Sequence, residues 1–296
     1  MKSFLPKELP TPQLHQLLLG TVAPRPIAFA STVSKSGEVN LSPFSFFNVF
    51  SAHPPIMIFS PARRVRDNTT KHTLENVLEV PEVTINIVNY DMVQQMSLAS
   101  TEYDRGVNEF EKAGFTAQKS DLVTPPWVAE APAAYECKVI EVKPLGEEGG
   151  AGNLVICEVL KLHIAEEVFT DNKVDPAQLD AVARMGGDWY CRAQGDALFE
   201  VAKPLRTKGI GVDQIPPSIR NSRVLTGNDL GMLGNVEQLP TEEEVANFAA
   251  EPEVSAILEY ADHEPDRIQT ELHKLASNYL KYNDPIGAWK VLLQEY

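Results

Sequence analysis

The chain has 296 residues, 43% of them hydrophobic and 23% charged, with a formal charge of −15. That length fits one large domain or two ordinary ones with a sizeable core, and the acidic balance argues against nucleic acid or an anionic membrane surface as the main partner. Three widely spaced cysteines (Cys137, Cys157 and Cys191) without metal-type pairing fit a reducing compartment, and neither a signal peptide nor a transmembrane run is visible, so the chain is expected to be cytoplasmic and full-length.

Residues 13–20 predict a short helix stopped by Gly20. Residues 27–33 begin a β-type run after Pro24 and Pro26, Ser36-Gly37-Glu38 marks a turn, and residues 56–59 follow the Pro54-Pro55 pair. Residues 83–88, 134–142, 154–164 and 195–201 predict further strands, while 73–80, 92–100 and 108–113 predict short helices over the sheet. Short strands without regular helical crossovers point to a mainly β fold, an antiparallel barrel with peripheral helices, rather than a doubly wound sheet. The expected division is 1–204 for the barrel, 205–240 for a long extended connection rich in glycine, proline and asparagine, and 241–296 for an α-helical extension. Thr241 with Glu244 predicts a capping box opening a helix to about residue 250, and Pro252, Pro265 and Pro285 suit the first turns of three more. Ile268, Leu272, Leu275, Tyr279 and Leu280 recur at helical spacing, and that face is expected to dock on the barrel or on a partner subunit.

Residues 40–48, Asn-Leu-Ser-Pro-Phe-Ser-Phe-Phe-Asn, keep neither a strand's nor a helix's period. They predict a strand preceded by a loop or bulge, with polar groups facing a planar polar ligand. Residues 61–72 hold Arg63, Arg64, Arg66 and Lys71 against Asp67, a balance of +3 that leaves −18 for the rest of the chain. Beside Asn68, Thr69, Thr70 and Thr73 at the start of a predicted helix, this knot suits a phosphate or similar anion, or else a solvated face. The histidines show no helical metal-ligand spacing, so no metal is expected. His163, closing an apolar strand, suits either a structural or a functional role. Arg184-Met185-Gly186-Gly187-Asp188-Trp189-Tyr190 reads as a backbone approach to a flat ligand, or as a turn. There is no Walker loop, Rossmann fingerprint or nucleophile elbow.

Taken in order, Pro24-Arg25-Pro26-Ile27-Ala28 with Ser31-Thr32, residues 40–48, Pro54-Pro55, Lys71-His72-Thr73 and residues 184–190 resemble the flavin reductase-like proteins, over about residues 15–203. The resemblance implies a split β-barrel holding FMN non-covalently at a homodimer interface. It implies that Thr32, Ser42, Pro43, Ser45, Phe46 and Asn48 lie along the flavin, and that Lys71, His72 and Thr73, with Arg63 or Arg66, hold its phosphate. Two departures stand out: Lys71-His72-Thr73 where relatives often have Lys-Asp-Thr, and Ser42 where alanine is frequent. By the same resemblance His163 stands near an incoming nicotinamide. The implied activity is NAD(P)H-dependent flavin reduction that supplies reduced flavin or electrons to a partner such as an oxygenase. Flavoredoxin-like electron transfer without NAD(P)H, or a non-catalytic FMN-binding scaffold, are the alternatives.

Overall fold

Pro12 stands in the first turn of α1 (Thr11–Thr21), where a missing N–H leaves no helical bond unmade. The structure is a computed structural model that describes residues 1–260 and 264–296. The chain divides into two compact units, Met1–Phe199 and Glu200–Tyr296.

In the first unit, β1 (Ala28–Val33), β2 (Val39–Phe44), β3 (Phe47–Ala52) and β4 (Pro55–Phe59) precede α2 (His72–Glu79) and β5 (Glu82–Asn86). Next come α3 (Val93–Ala99), α4 (Glu109–Ala113) and a small ladder of β6 (Ala117–Gln118) with β7 (Trp127–Val128). The long strands β8 (Ala133–Pro144) and β9 (Asn153–Ile164) complete a seven-stranded antiparallel sheet in the order β2-β1-β5-β8-β9-β4-β3. Because β2 and β3 are consecutive in the chain yet stand at opposite edges, the chain itself bridges the opening at Ser45-Phe46. This is a barrel split along one seam.

Residues 40–48 are therefore not one strand with an irregularity before it. They are the end of one edge strand, a bend, and the start of the other, and the register shift falls later, between Val49 and Ser51. Pro43 sits opposite Phe29 in β2, and an edge strand is where a residue without an N–H is tolerated.

All six residues of β1 are buried because successive side chains enter different cores. Ala28 and Ala30 join Phe44, Phe59, Ile85 and Cys157, closed by Leu74 and Val77 of α2. Phe29 joins Leu41, Met92, Met96 and Phe110, and meets Phe115 edge-on at 5.4 Å. Two short hairpins, β10 (Phe169–Thr170) with β11 (Lys173–Val174) and β12 (Val182–Arg184) with β13 (Tyr190–Arg192), flank α5 (Pro176–Leu179). Residues 195–201 are not a strand: Gly195 takes φ +55° and starts a single 3-10 turn, Gly195–Ala197.

The second unit corrects two expectations. Residues 205–239 are not an extended connection but hold α6 (Pro217–Arg220) and α7 (Gly227–Gly234), the latter opened by a Thr226–Asp229 capping box. Helices this short show too few turns for a periodicity to register. They are followed by α8 (Glu242–Phe248), opened by the Thr241–Glu244 capping box, then α9 (Pro252–Tyr260), α10 (Pro265–Lys281) and α11 (Pro285–Leu292). The apolar face of α10 serves this unit's own core: Ile268, Leu272 and Leu280 bury with Ile215, Leu233, Val254 and Trp289, and Leu275 and Tyr279 pack at its margin. No described helix is long and apolar enough to cross a membrane.

Trp289 is fully buried and its indole N–H donates to the Leu233 carbonyl at 3.0 Å. Replacing it with alanine should destabilise the helical unit by about 3–5 kcal/mol. Thermal unfolding followed by near-ultraviolet circular dichroism reads this; a loss under about 1 kcal/mol would contradict the assigned core position.

Candidate functional site

A polar cleft, open to solvent, lies beside β2. Asn40 and Ser42 come from β2, Arg64 from the loop before α2, Lys71, His72 and Thr73 from the start of α2, and Ser100, Thr101, Glu102 and Tyr103 from the loop after α3; Glu109 closes it. Side-chain hydrogen bonds fix α2 to the sheet: Asn40 Nδ2 donates to Thr73 Oγ1 at 3.0 Å, and Asn76 Nδ2 to Thr32 Oγ1 at 3.1 Å. The buried Glu109 accepts the Leu41 N–H at 2.9 Å.

The first N–H groups of a helix have no partner within the helix and carry partial positive charge. Among the described residues no side chain caps α2, and Lys71, at its N-cap position, forms no ion pair. Burial lowers the pKa of this half-buried amine, and neighbouring Arg64 pushes the same way. A buried-side cation facing a cation and free backbone donors is stabilised by an anion arriving there.

The three arginines of the knot separate in space. Arg64 lines the cleft with its side chain only 16% exposed, donating to Thr69 Oγ1 at 2.9 Å and to the Thr70 carbonyl, and pairing with Glu102 at 2.9 Å. Arg63 turns away to hold Asn68, donating to its side-chain oxygen at 2.6 Å and its carbonyl at 2.7 Å. Arg66 is 70% exposed, paired with Asp67 and Glu102, and does not line the cleft. Of the three, Arg64 is the one that lines the cleft, beside the expected Lys71, His72 and Thr73. Asn68, which holds Arg63 aside, takes φ +57° and is tied by Nδ2 to the Glu147 carbonyl at 3.0 Å, and those contacts are invisible in a charge count.

Of the other expected residues, Ser42, Lys71, His72 and Thr73 line the cleft together, while Thr32 lies behind α2, bonded to Asn76. Pro43 is within β2, and Ser45, Phe46 and Asn48 follow at the seam. Ser45 Oγ receives Arg25 Nε at 3.5 Å, Phe46 meets His15 edge-on, and Asn48 Oδ1 accepts the Val49 N–H at 2.8 Å. The seam is apolar and open: Phe46, Val49 and Phe50 are 40%, 58% and 63% exposed. The two remaining sequence motifs join each other, since Arg25 and Arg184 form a bridge and the buried Arg25 guanidinium donates to the carbonyls of Leu19, Val22 and Met185. This fixes the turn at residues 184–190 to the start of β1.

His163 does not reach the cleft. Its Nε2 is 2.7 Å from Oε1 of the fully buried Glu136, and its ring stacks on Trp127 at 5.0 Å and 11°. Asp121 completes a group whose ligand-type atoms lie within 4.8 Å of one another, a constellation that sequence spacing did not reveal. Those atoms are engaged: Glu136 accepts the Asp121 and Leu122 N–H groups, and Lys161 binds Asp121.

A split barrel with a cationic, uncapped helix start beside the edge strand β2 offers a site for a small anionic group. The sequence model of the flavin reductase like domain matches residues 20–178, and the chain belongs to the flavin reductase-like family. A protein of Aquifex aeolicus is 36% identical over 199 residues, 67% of this chain and 99% of its own length. Nitrilotriacetate monooxygenase component B from Bacillus cereus is similar in structure, with a TM-score of 0.64 and 30% identity over 68% of this chain and 98% of that one. A protein with a split barrel domain from Shewanella frigidimarina gives a TM-score of 0.56 at 28% identity, covering 67% and 96%. The family match ends before the helical unit begins.

Glu109 generates a pH prediction. Burial raises its pKa above the ordinary carboxylate value, more than the N–H groups it accepts lower it. An acid whose folded pKa exceeds its unfolded one favours the fold while protonated, and that contribution is lost as pH rises through the folded titration. Glu109→Gln should flatten the fall in melting temperature above the ordinary carboxylate range; an unchanged slope would contradict this. Gly149 generates another, because a Cβ there would stand 3.0 Å from the Arg64 carbonyl and 3.1 Å from that of Val65. Gly149→Ala should displace the loop carrying Arg64 and cost about 1–3 kcal/mol in denaturant unfolding.

Proposed function

We infer that this protein is an FMN-binding oxidoreductase of the cytoplasm, acting as a homodimer and reducing flavin with NAD(P)H. The observation that carries this reading is Lys71, half-buried and unpaired among the described residues, beside Arg64 at the uncapped start of α2. The residues present suit a flavin mononucleotide. Lys71, Arg64, His72, Thr73 and the first N–H groups of α2 would hold the phosphate, and Ser42, Pro43, Ser45, Phe46 and Asn48 would follow the ribityl chain and ring along the seam.

Bound flavin supplies the hydride-accepting chemistry. The chain's residues bind and orient it: the cations and helix start fix the phosphate end, and the bend at Ser45-Phe46 gives an apolar surface for a flat ring. The exposed edge strand β3 and the apolar side chains of Phe46, Val49 and Phe50 support a second copy covering the seam. Likeness to a monooxygenase component B supports delivery of reduced flavin or electrons to a partner oxygenase. In this reading Glu136 and Trp127 would hold the His163 ring in one orientation for the nicotinamide.

A second reading, electron transfer by bound FMN without direct use of NAD(P)H, is favoured by the engagement of the His163 ring with Glu136 and Trp127, none of which lines the cleft. Anaerobic addition of NADH or NADPH to the FMN-loaded protein separates the two. Bleaching of the flavin absorbance is expected; bleaching by a reduced ferredoxin but by neither nicotinamide would overturn the reductase reading. Removing both cleft charges, Arg64→Met with Lys71→Met, should weaken FMN by roughly ten- to a hundredfold while leaving riboflavin within about threefold. Equal losses for both flavins would reject the phosphate assignment.

A further inference from the structure

The loop 100–108, between α3 and α4, is fastened by two ionic clusters of opposite polarity. At one end Glu102 pairs with Arg64 at 2.9 Å and with Arg66 at 2.5 Å. At the other Arg105 pairs with Glu75 at 2.8 Å and lies 3.8 Å from both Glu38 and Glu79. The loop thereby lies along the cleft, contributing Ser100, Thr101, Glu102 and Tyr103 to its lining. A second cleft beside it, lined by Arg105, Gly106 and Val107, shares Asn40 and His72 with the first.

Glu102 is the carboxylate of the lining that pairs with its arginine, whereas the other, the buried Glu109, accepts the Leu41 N–H. The two Glu102 oxygens take the guanidinium groups of Arg64 and Arg66, and those contacts hold its carboxyl below the ordinary range, with Arg64 the largest cause. In the lining, Arg64 and Lys71 bring two positive charges, Glu102 returns one negative charge, and Glu109 is a second carboxyl group. The balance is at most one positive charge and undermatches a phosphate monoester, which carries about −1.5 to −2 at neutral pH. Neutralising Glu102 moves the balance one charge closer to that of a dianion's partner.

Resting on the reading of this cleft as a phosphate site, the geometry points to Glu102 as a specificity-determining residue: its carboxylate competes with the ligand's phosphate for Arg64 and lowers the affinity for phosphorylated flavin. The consequence is a flavin held weakly enough to leave, as a shuttled substrate must.

The test measures dissociation constants of FMN and riboflavin, by quenching of flavin fluorescence, for the wild type, Glu102→Gln and Arg105→Gln. Glu102→Gln should bind FMN about five- to tenfold more tightly with riboflavin unchanged, and the gain should shrink in high salt. Arg105→Gln, which loosens the same loop from its other end, should not raise the preference for FMN. A wild type that prefers FMN, with the same preference in Glu102→Gln, would overturn this inference and leave the phosphate reading standing. An equal rise in Arg105→Gln would also overturn it, since loop release rather than charge would be the cause. Equal affinity for both flavins in the wild type and in Glu102→Gln alike would instead remove the phosphate reading and this inference together.

Discussion

A helix whose first N–H groups meet no capping side chain, next to an amine that has lost part of its hydration, stores an electrostatic demand for an anion. The start of α2 makes that demand among the described residues, and the neighbouring structure serves to hold it in place. Asn40 and Asn76 bond α2 to β2 and β1 through Thr73 and Thr32. Leu74 and Val77 of the same helix close one of the two barrel cores. The helix therefore cannot turn its N-terminus toward solvent without opening that core, and the site is as rigid as the packing behind it.

The barrel's topology decides where this helix start lies. A sheet whose edge strands are consecutive in the chain has a seam bridged only by the connecting residues, here Ser45-Phe46. Ladder pairing is unmade along that seam, so unpaired backbone and apolar side chains collect there. Polar residues of β2 face the cleft at one side of the bend, and Phe46, Val49 and Phe50 present an apolar surface at the other. A ligand with a charged end and a flat apolar end suits that gradient. The long β8–β9 hairpin supports it from behind: Gly150 N–H donates to the Arg63 carbonyl at 2.9 Å and Asn153 Nδ2 to the Pro61 carbonyl at 3.0 Å, fastening the loop that carries Arg64.

Much of this was legible in the sequence where local chemistry decides. The strand runs, the barrel class, the capping box at Thr241 and the helix starts at Pro252, Pro265 and Pro285 depend on spacing and backbone preference, and they are written locally. The positive knot was visible as composition, but which arginine enters the cleft depends on Asn68 and on the Gly149–Gly150 turn some eighty residues later. The Asn40–Asn48 stretch announced an irregularity; that the irregularity joins opposite edges of a sheet is a matter of long-range pairing. His163 looked available because its strand is apolar, and only the cross-strand neighbour Glu136 and the ring of Trp127 show how it is engaged. The helices of residues 205–239 are not legible locally because glycines and prolines that break long helices also cap short ones, and Ile215, Ile219, Leu225 and Leu233 bury through tertiary packing rather than through any one helix's stripe.

Phosphorus NMR of FMN mixed with the protein interrogates the anion site itself. The start of α2, Lys71 and Arg64 should displace the phosphate resonance and lower its ionisation midpoint, because nearby positive charge favours the dianion. A bound flavin whose phosphate resonance and titration match those of free FMN would contradict the assignment of this cleft.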